Sequence, residues 1–403
     1  MASALLDLFY SMGGCLSCFP SSPQLKINSR SFKILRLLGE GGFSYVYLVE
    51  DTSSHELYAL KKIRCPFGQE SVSLALKEVE AYSLFSPHPN IIHSIDHSVA
   101  SDRSDPSAKT VYILLPYYRR GNLQDMINAN LVNHTQFPEK RLMVLFLGVC
   151  KALKTMHQYK VKGGPGGAAA VGKAQRVREE AARADAQAAE AARDAGRDED
   201  EEEEQPLMED EITRSQDGVA PGKARAYAHR DIKPGNVMIA DDGKTPILMD
   251  LGSLAPAPTP ITSRSQALAV QDQAAEHSTM PYRAPELFDV KTGSTIDTQV
   301  DIWSLGCTLY ACLVGKSPFE ARSDETGGSL SLCVLGGDWR FPDEAPQRGK
   351  QKAREEGSGA SEAVREIVRK CLKVEPAERP DVDELIGIVE KVIKGLPDDG
   401  SDD

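Results

Sequence analysis

Two runs of alternating apolar and polar residues flank the segment Gly39, Glu40, Gly41, Gly42, Phe43, Ser44, Tyr45, Val46. Alternation with a period of two buries one face of a sheet, and glycine relieves a tight turn, so the pattern predicts strand, glycine turn, strand. Tyr58 to Lys61 falls in the next strand. The short apolar run Val111 to Leu115 predicts a buried strand, followed by Pro116, Tyr117 and Tyr118. Between these strands a helical pattern carries Glu78 and ends before His88, Pro89 and Asn90, and another helix ends near Met156 and His157. Arg264 to His277 (RSQALAVQDQAAEH) is rich in alanine and glutamine and follows Ser263, a good N-cap, so it also predicts helix. Residues 321–362, rich in Gly, Ser, Glu and Lys, read as loops around the apolar stretch Leu330 to Leu335. No run reaches the roughly 18 apolar residues that a membrane-crossing helix needs.

The periodicity breaks down over residues 158–226, a low-complexity acidic insert of about seventy residues, far longer than an ordinary connection. It opens with Gly163, Gly164, Pro165, Gly166 and Gly167, passes through an Ala/Arg/Glu stretch in which Val171 to Arg193 predicts a solvated helix, and ends in the acidic run Asp198 to Glu204. A run of like charge with few apolar residues is expected to stay disordered. Acids exceed bases by about seven between residues 163 and 226, over half of the net charge of −12, so the acidity is mostly that of the insert and the remaining chain is nearer neutral. A tolerated loop insertion is the simpler account of this segment, and a docking segment for basic partners is the alternative. About 300 of the 403 residues remain, enough for sizeable cores. There is no internal repeat or second folded domain, and the acidic tail, residues 396–403, is expected to fray from Asp398.

The candidate chemistry lies in His229, Arg230, Asp231, Ile232, Lys233, Pro234, Gly235, Asn236, with Asp250, Leu251, Gly252 a strand-sized step later. One carboxylate, one ammonium and one carboxamide at short fixed spacing suit phosphoryl transfer. Its charge-rich transition state needs a base near the incoming hydroxyl, a cation near the moving phosphoryl and oxygen ligands for a metal ion. Asp231 takes the first role, Lys233 the second, and Asn236 with Asp250 the third. Upstream, the glycine turn is suited to bring backbone N–H groups to phosphate oxygens, and a Lys61–Glu78 ion pair would aim the Lys61 ammonium at phosphates. Glu80 competes with Glu78. Glu78 is preferred because Val79 and Leu84 then share the inward side of the helix.

These motifs are followed by Ala284, Pro285, Glu286, then Asp301, Ile302, Trp303, Ser304, Leu305, Gly306, then Pro376 to Arg379 and Pro380. In that order and spacing, residues 30–395 resemble a eukaryotic protein kinase. The resemblance implies an α+β, bilobal fold with a β-rich N-lobe (30–115), a hinge (116–121) and a helical C-lobe (122–395), with ATP in the cleft. It makes Leu115 the gatekeeper, gives Pro116 and Tyr118 the adenine contacts through the Pro116 carbonyl and Tyr118 N–H, and assigns Gly39 to Val46 to the phosphates. Glu286 is expected to pair with Arg379, and Asp301 to hold the backbone of the catalytic loop. All three are structural. Lys233 and Thr279 resemble the serine/threonine subgroup, in which the Thr279 hydroxyl bridges Asp231 and Lys233; an activation-loop phosphosite or a turn residue is the alternative for Thr279. The implied cofactors are ATP and Mg2+, with Mn2+ possible.

Ser44 at the third glycine position, Leu251 after Asp250 and the helical Arg264 to His277 narrow the resemblance to the Numb-associated kinase family, in the branch of the myristoylated and palmitoylated serine/threonine kinase and its fungal relatives. The N-terminal segment, residues 1–29, is the second informative place. Met1 to Tyr10 is too short to span a bilayer and lacks the basic start and cleavage site of a secretory signal. Met12, Gly13, Gly14, Cys15, Leu16, Ser17, Cys18 follows, and Gly13 meets the myristoylation pattern only if translation starts at Met12. Palmitoylation of Cys15 and Cys18 is the favoured expectation, since two acyl chains anchor stably; a leader with two inert thiols is the alternative. The other cysteines fall singly, without metal-ligand spacing, which is reduced intracellular usage.

The expectation is a membrane-anchored serine/threonine protein kinase, monomeric, on the cytoplasmic face of vacuolar, Golgi or endosomal membranes, acting on protein substrates in trafficking or fusion. No basic patch with interleaved aromatics suggests nucleic acid. A pseudokinase scaffold that recruits partners through its insert is the alternative, disfavoured by the intact set Lys61, Asp231, Asn236 and Asp250.

Overall fold

The computed structural model describes residues 24–42, 44–101, 108–160, 225–344 and 359–398. Phe43, Cys15 and Cys18, the expected helix 171–193 and the acidic run lie outside them. The chain divides into two units, residues 1–79 with 94–117 and residues 80–93 with 118–403.

The first unit is built on an antiparallel six-stranded sheet in the order β1-β2-β3-β4-β6-β5. Its strands are β1 (Gln24–Ile27), β2 (Arg30–Glu40), β3 (Ser44–Asp51), β4 (Leu57–Cys65), β5 (Asp96–Ser101) and β6 (Lys109–Pro116), and helix α1 (Gly68–Leu84) follows β4. Ile27, Phe32, Val49, Leu60 and Leu114 form its buried cluster. The sheet begins earlier than residue 30. Leu25 and Ile27 alternate toward the core, Ile27 is fully buried, and Asn28 at φ 51° turns the chain into β2, so Gln24–Ile27 belongs to the sheet rather than to the N-terminal segment.

The second unit is mainly helical, with α2 (Leu123–Asn133), α3 (Glu139–His157), α4 (Arg264–His277), α5 (Gln299–Val314), α6 (Pro318–Thr326), α7 (Leu330–Gly336), α8 (Glu362–Cys371) and α9 (Val382–Gly395). Helix α5 is apolar on nearly every side, and Val300 through Cys312 are all buried, so it forms the centre against which α8 packs. Helix α3 turns Leu142, Leu145, Phe146, Val149, Leu153 and Met156 inward and packs against α9.

Three expectations need correction here. Within residues 321–362, read as loops around Leu330 to Leu335, residues 321–326 complete helix α6 and the apolar stretch itself is helix α7. The Ser317 hydroxyl accepts from Glu320 N while the Glu320 carboxylate accepts from Ser317 N, Pro318 starts the helix, and Gly327 and Gly337 end the two helices at positive φ. Gly327 and Gly337, which suggested loop, are therefore helix C-caps. Asp398, where fraying was expected to begin, still pairs its exposed carboxylate with Lys140, and residues 399–403 lie outside the described residues. The insert was also bounded too far along: Arg225 and β7 (Ala226–Ala228) already belong to the fold, and Arg225 N donates to the Tyr159 carbonyl at 2.7 Å. Phe85, Tyr159 and Tyr227 pack edge to face around that junction, with centroids 5.5 to 6.0 Å apart. Among the described residues no helix is long and apolar enough to cross a membrane.

Candidate active site

In the first unit Lys61 sits in the middle of β4, between Val46 of β3 and Ile113 of β6. Its Nζ donates to Glu78 Oε1 at 2.7 Å, with the two side chains 15 % and 8 % exposed. Little solvent competes for the ammonium. Glu78, rather than half-buried Glu80, faces inward with buried Val79; Leu84 is only half-buried, so it contributes less to that choice than the helical periodicity suggested. In the glycine turn, Gly39 and Glu40 face Val46 and Tyr45 across the hairpin, and Gly41 N donates to Ser44 O at 2.7 Å. A Cβ at Gly41 would meet Ser44 Oγ at 3.0 Å, while Gly39 and Gly42 have nothing within 4 Å of that position. The backbone at those two glycines is therefore open to close approach by a ligand. Leu115 is buried, and Pro116 ends β6 opposite Tyr58.

In the second unit β7 delivers the chain into His229, Arg230 and Asp231. Asp301, the third residue of α5, accepts His229 N on Oδ2 and Arg230 N on Oδ1, both at 2.8 Å. Arg230 stands at φ 68°, a conformation unusual for a long side chain, and the bond from its N–H to a buried carboxylate offsets that strain. Burial alone would raise the Asp301 carboxyl, but the hydrogen bond and charge of His157 hold it below the usual range. The His229 ring closes the loop from the other side: Nε2 donates to the Met249 carbonyl at 2.9 Å and Nδ1 accepts from Asp231 N at 3.2 Å.

Asp231 is thereby fixed, and four donors converge on its carboxylate. Thr279 N and Oγ1 donate to Oδ1 at 2.9 and 2.8 Å, and Lys233 Nζ and Asn236 Nδ2 donate to Oδ2 at 2.8 and 2.9 Å. Lys233 Nζ also donates to Thr279 Oγ1 at 2.6 Å, so the threonine hydroxyl bridges the aspartate and the lysine. Asn236 Nδ2 is committed to Asp231, which leaves its Oδ1 to face a cation. The strands β8 (Val237–Ile239) and β9 (Pro246–Leu248) pair antiparallel and return the chain, and Met249 N donates to Asn236 O at 2.9 Å. That bond sets Asp250, at φ 57°, in sequence directly after the residue tied to Asn236. An amide oxygen and a carboxylate are the hard oxygen ligands that Mg2+ takes, so the residues fit a divalent ion bound with a phosphate.

Helix α4 forms where the sequence predicts it, with Ser263 Oγ accepting from Gln266 N. Tyr118 lies beside Asp241, and burial first, then that carboxylate, raises its phenol. Glu286 and Arg379 make a two-pronged pair at 2.6 and 2.9 Å, with Arg379 fully buried. Sequence reasoning missed His157, whose Nε2 donates to Asp301 Oδ2 at 2.9 Å, and Arg283, whose Nε donates to Ser278 Oγ at 2.7 Å beneath the turn that carries Thr279. His157 offered one signal, its place as the last helical residue before the insert. Arg283 offered none.

A sheet-based unit with a lysine–glutamate pair, and a helical unit with an aspartate held by lysine, asparagine and threonine, define a protein kinase. The family model described as "Protein kinase domain" matches residues 32–162 and 218–388, and the chain belongs to that family. It is 34 % identical to serine/threonine-protein kinase ppk13 of Schizosaccharomyces pombe, over 90 % of this chain and 91 % of that one. It is 34 % identical to serine/threonine-protein kinase ENV7 of Saccharomyces cerevisiae, over 97 % and 99 % of the two chains. Serine/threonine-protein kinase 16 of Rattus norvegicus is 30 % identical over 96 % and 98 %. The chain is a serine/threonine protein kinase.

Proposed function

We propose that this kinase transfers the γ-phosphoryl of MgATP to serine or threonine of protein substrates, with Asp231 positioning the hydroxyl and taking its proton. The observation that carries the reading is the convergence of Thr279, Lys233 and Asn236 on the Asp231 carboxylate, which fixes both oxygens before substrate arrives. Preorganisation of this kind lowers the barrier without reorganisation at the moment of reaction. The Lys233 side chain is 27 % exposed, enough to turn its ammonium toward the moving phosphoryl and free Oδ2 for the incoming hydroxyl. Asn236 Oδ1 and the Asp250 carboxylate would hold a divalent ion, which would supply neutralisation of phosphate charge there. Lys61, aimed by Glu78, meets the nucleotide phosphates, which the open backbone of Gly39 and Gly42 lets approach. Pro116 offers a carbonyl and Tyr118 an N–H for the adenine.

The finer reading is that the enzyme belongs to the Numb-associated group, is anchored by acylation of Cys15 and Cys18, and regulates trafficking or fusion at a vacuolar, Golgi or endosomal membrane. The helix α4 within the activation segment and the cysteine pair support it. Helix α4 also supports activity without activation-loop phosphorylation, because it orders the segment leading to Thr279 by itself. The test of the reaction is transfer of labelled phosphate onto serine and threonine of a generic basic protein, present in the wild type and lost in Asp231→Asn.

A further inference from the structure

Thr279 reaches Asp231 through its backbone as well as its hydroxyl, and the backbone bond depends on the tilt of the peptide that joins it to Ser278. A peptide group is planar, so turning its carbonyl turns its N–H. This one is held at both ends. Its N–H, from Thr279, donates to Asp231 Oδ1 at 2.9 Å, and its carbonyl, from Ser278, accepts from Arg283 Nη2 at 2.9 Å. Arg283 grips Ser278 a second time, Nε donating to Oγ at 2.7 Å, and that hydroxyl donates onward to the Ala274 carbonyl at 2.6 Å. Nη2 also donates to the Ala275 carbonyl at 3.4 Å, so the guanidinium closes the last turn of α4, where the helix dipole favours a cation. Phe288 covers it, with the ring centroid 4.9 Å from Cζ. Arg283 is buried, its three acceptors are uncharged, and the charge of Asp231 is what favours its cation against burial. A carbonyl that accepts from a cation polarises the N–H of the same peptide, which strengthens the bond to Asp231.

We infer that Arg283 is a positioning residue for phosphoryl transfer: it sets the Ser278–Thr279 peptide against the end of helix α4, and through the Thr279 N–H it orients the Asp231 carboxylate. The inference rests on the role of Asp231 proposed above. It also gives α4 a direct bearing on the reaction, since the same guanidinium that orients the peptide is bonded to the last turn of that helix.

Two variants separate positioning from packing. Arg283→Met keeps much of the length and the contact with Phe288 but donates nothing. Arg283→Lys keeps a cation and a donor, without the rigid fork that grips both Ser278 oxygens. Steady-state transfer by the full chain to a generic basic protein is measured for the wild type, both variants and Asp231→Asn, with thermal unfolding as the check on folding. The expected result is a kcat reduced about tenfold or more in Arg283→Met and about threefold in Arg283→Lys, with KM for ATP unchanged in both, since misplacement by about 1 Å can cost on the order of a hundredfold. Wild-type kcat in a folded Arg283→Met, an equal loss in the two folded variants, or a loss carried by KM for ATP instead of kcat overturns the inference. Should Arg283→Met not fold, Arg283→Lys decides: a folded variant with kcat lowered about threefold and KM for ATP unchanged supports the inference, and wild-type kcat contradicts it. Absence of transfer in the wild type, or transfer surviving in Asp231→Asn, instead overturns the reading on which the inference rests.

Discussion

Arg379 shows how one side chain can tie distant parts of a helical unit together. Its guanidinium is fully buried, takes the Glu286 carboxylate in a two-pronged grip, donates to the carbonyls of Lys373, Val374 and Gln299, and lies 5.0 Å over the Trp303 ring. Every polar atom of the cation is satisfied, which is what makes its burial tolerable. Arg379→Met keeps most of the volume but strands a mostly buried carboxylate. The expected loss is about 3–5 kcal/mol of unfolding free energy, read as a lower urea midpoint with an unchanged slope. The pair itself was legible, because the motifs around Glu286 and Arg379 occur in family order. The carbonyl cage was not, since backbone oxygens belong to every residue and carry no sequence signal. The same holds for His157, one of eight histidines, whose partner lies far along the chain.

At the scale of elements, the sequence was most readable where one signal dominated. Alternation gave the hairpin of β2 and β3, and composition with an N-cap gave α4 with its observed bounds. It was least readable where the same residues serve two purposes. Gly327 and Gly337 end helices within a stretch whose composition reads as loop, and β1 is too short to show periodicity before it finds a partner. The insert junction makes its own prediction. Tyr159 and Arg225 are already joined by a backbone hydrogen bond and enclosed by Phe85 and Tyr227, so the kinase fold closes there without the segment between. Replacing residues 161–224 with a Gly/Ser turn of about four residues, a normal hairpin length, is expected to leave folding and transfer to a generic acceptor intact. A soluble, folded variant that has lost transfer would make the segment part of the catalytic apparatus.

For the whole molecule, the separation of charge gives the acidic excess of the chain mostly to the insert and leaves the kinase body nearer neutral. With about −5 left outside the insert, the body gains nothing from net attraction to an anionic lipid surface, so membrane attachment would fall to the acyl chains. Changing Cys15→Ser together with Cys18→Ser is therefore expected to move the protein from the membrane pellet to the soluble fraction with its kinase activity unchanged; an unchanged pellet fraction would remove acylation from the account. The proposed anchor rests on short N-terminal signals alone, whereas the kinase motifs are many residues in fixed order, which is why the sequence pointed to the reaction far more firmly than to any location.

The claim beneath all of this is that Asp231 acts in the chemical step and not in holding nucleotide. The direct measurement pairs MgATP affinity with the rate of phosphate transfer to serine and threonine for the wild type and Asp231→Asn. The expected result is nucleotide affinity close to that of the wild type with transfer reduced by at least about a hundredfold, the loss expected when a positioned general base is removed. Transfer that persists in Asp231→Asn, or is missing from a wild type that binds MgATP, would contradict it.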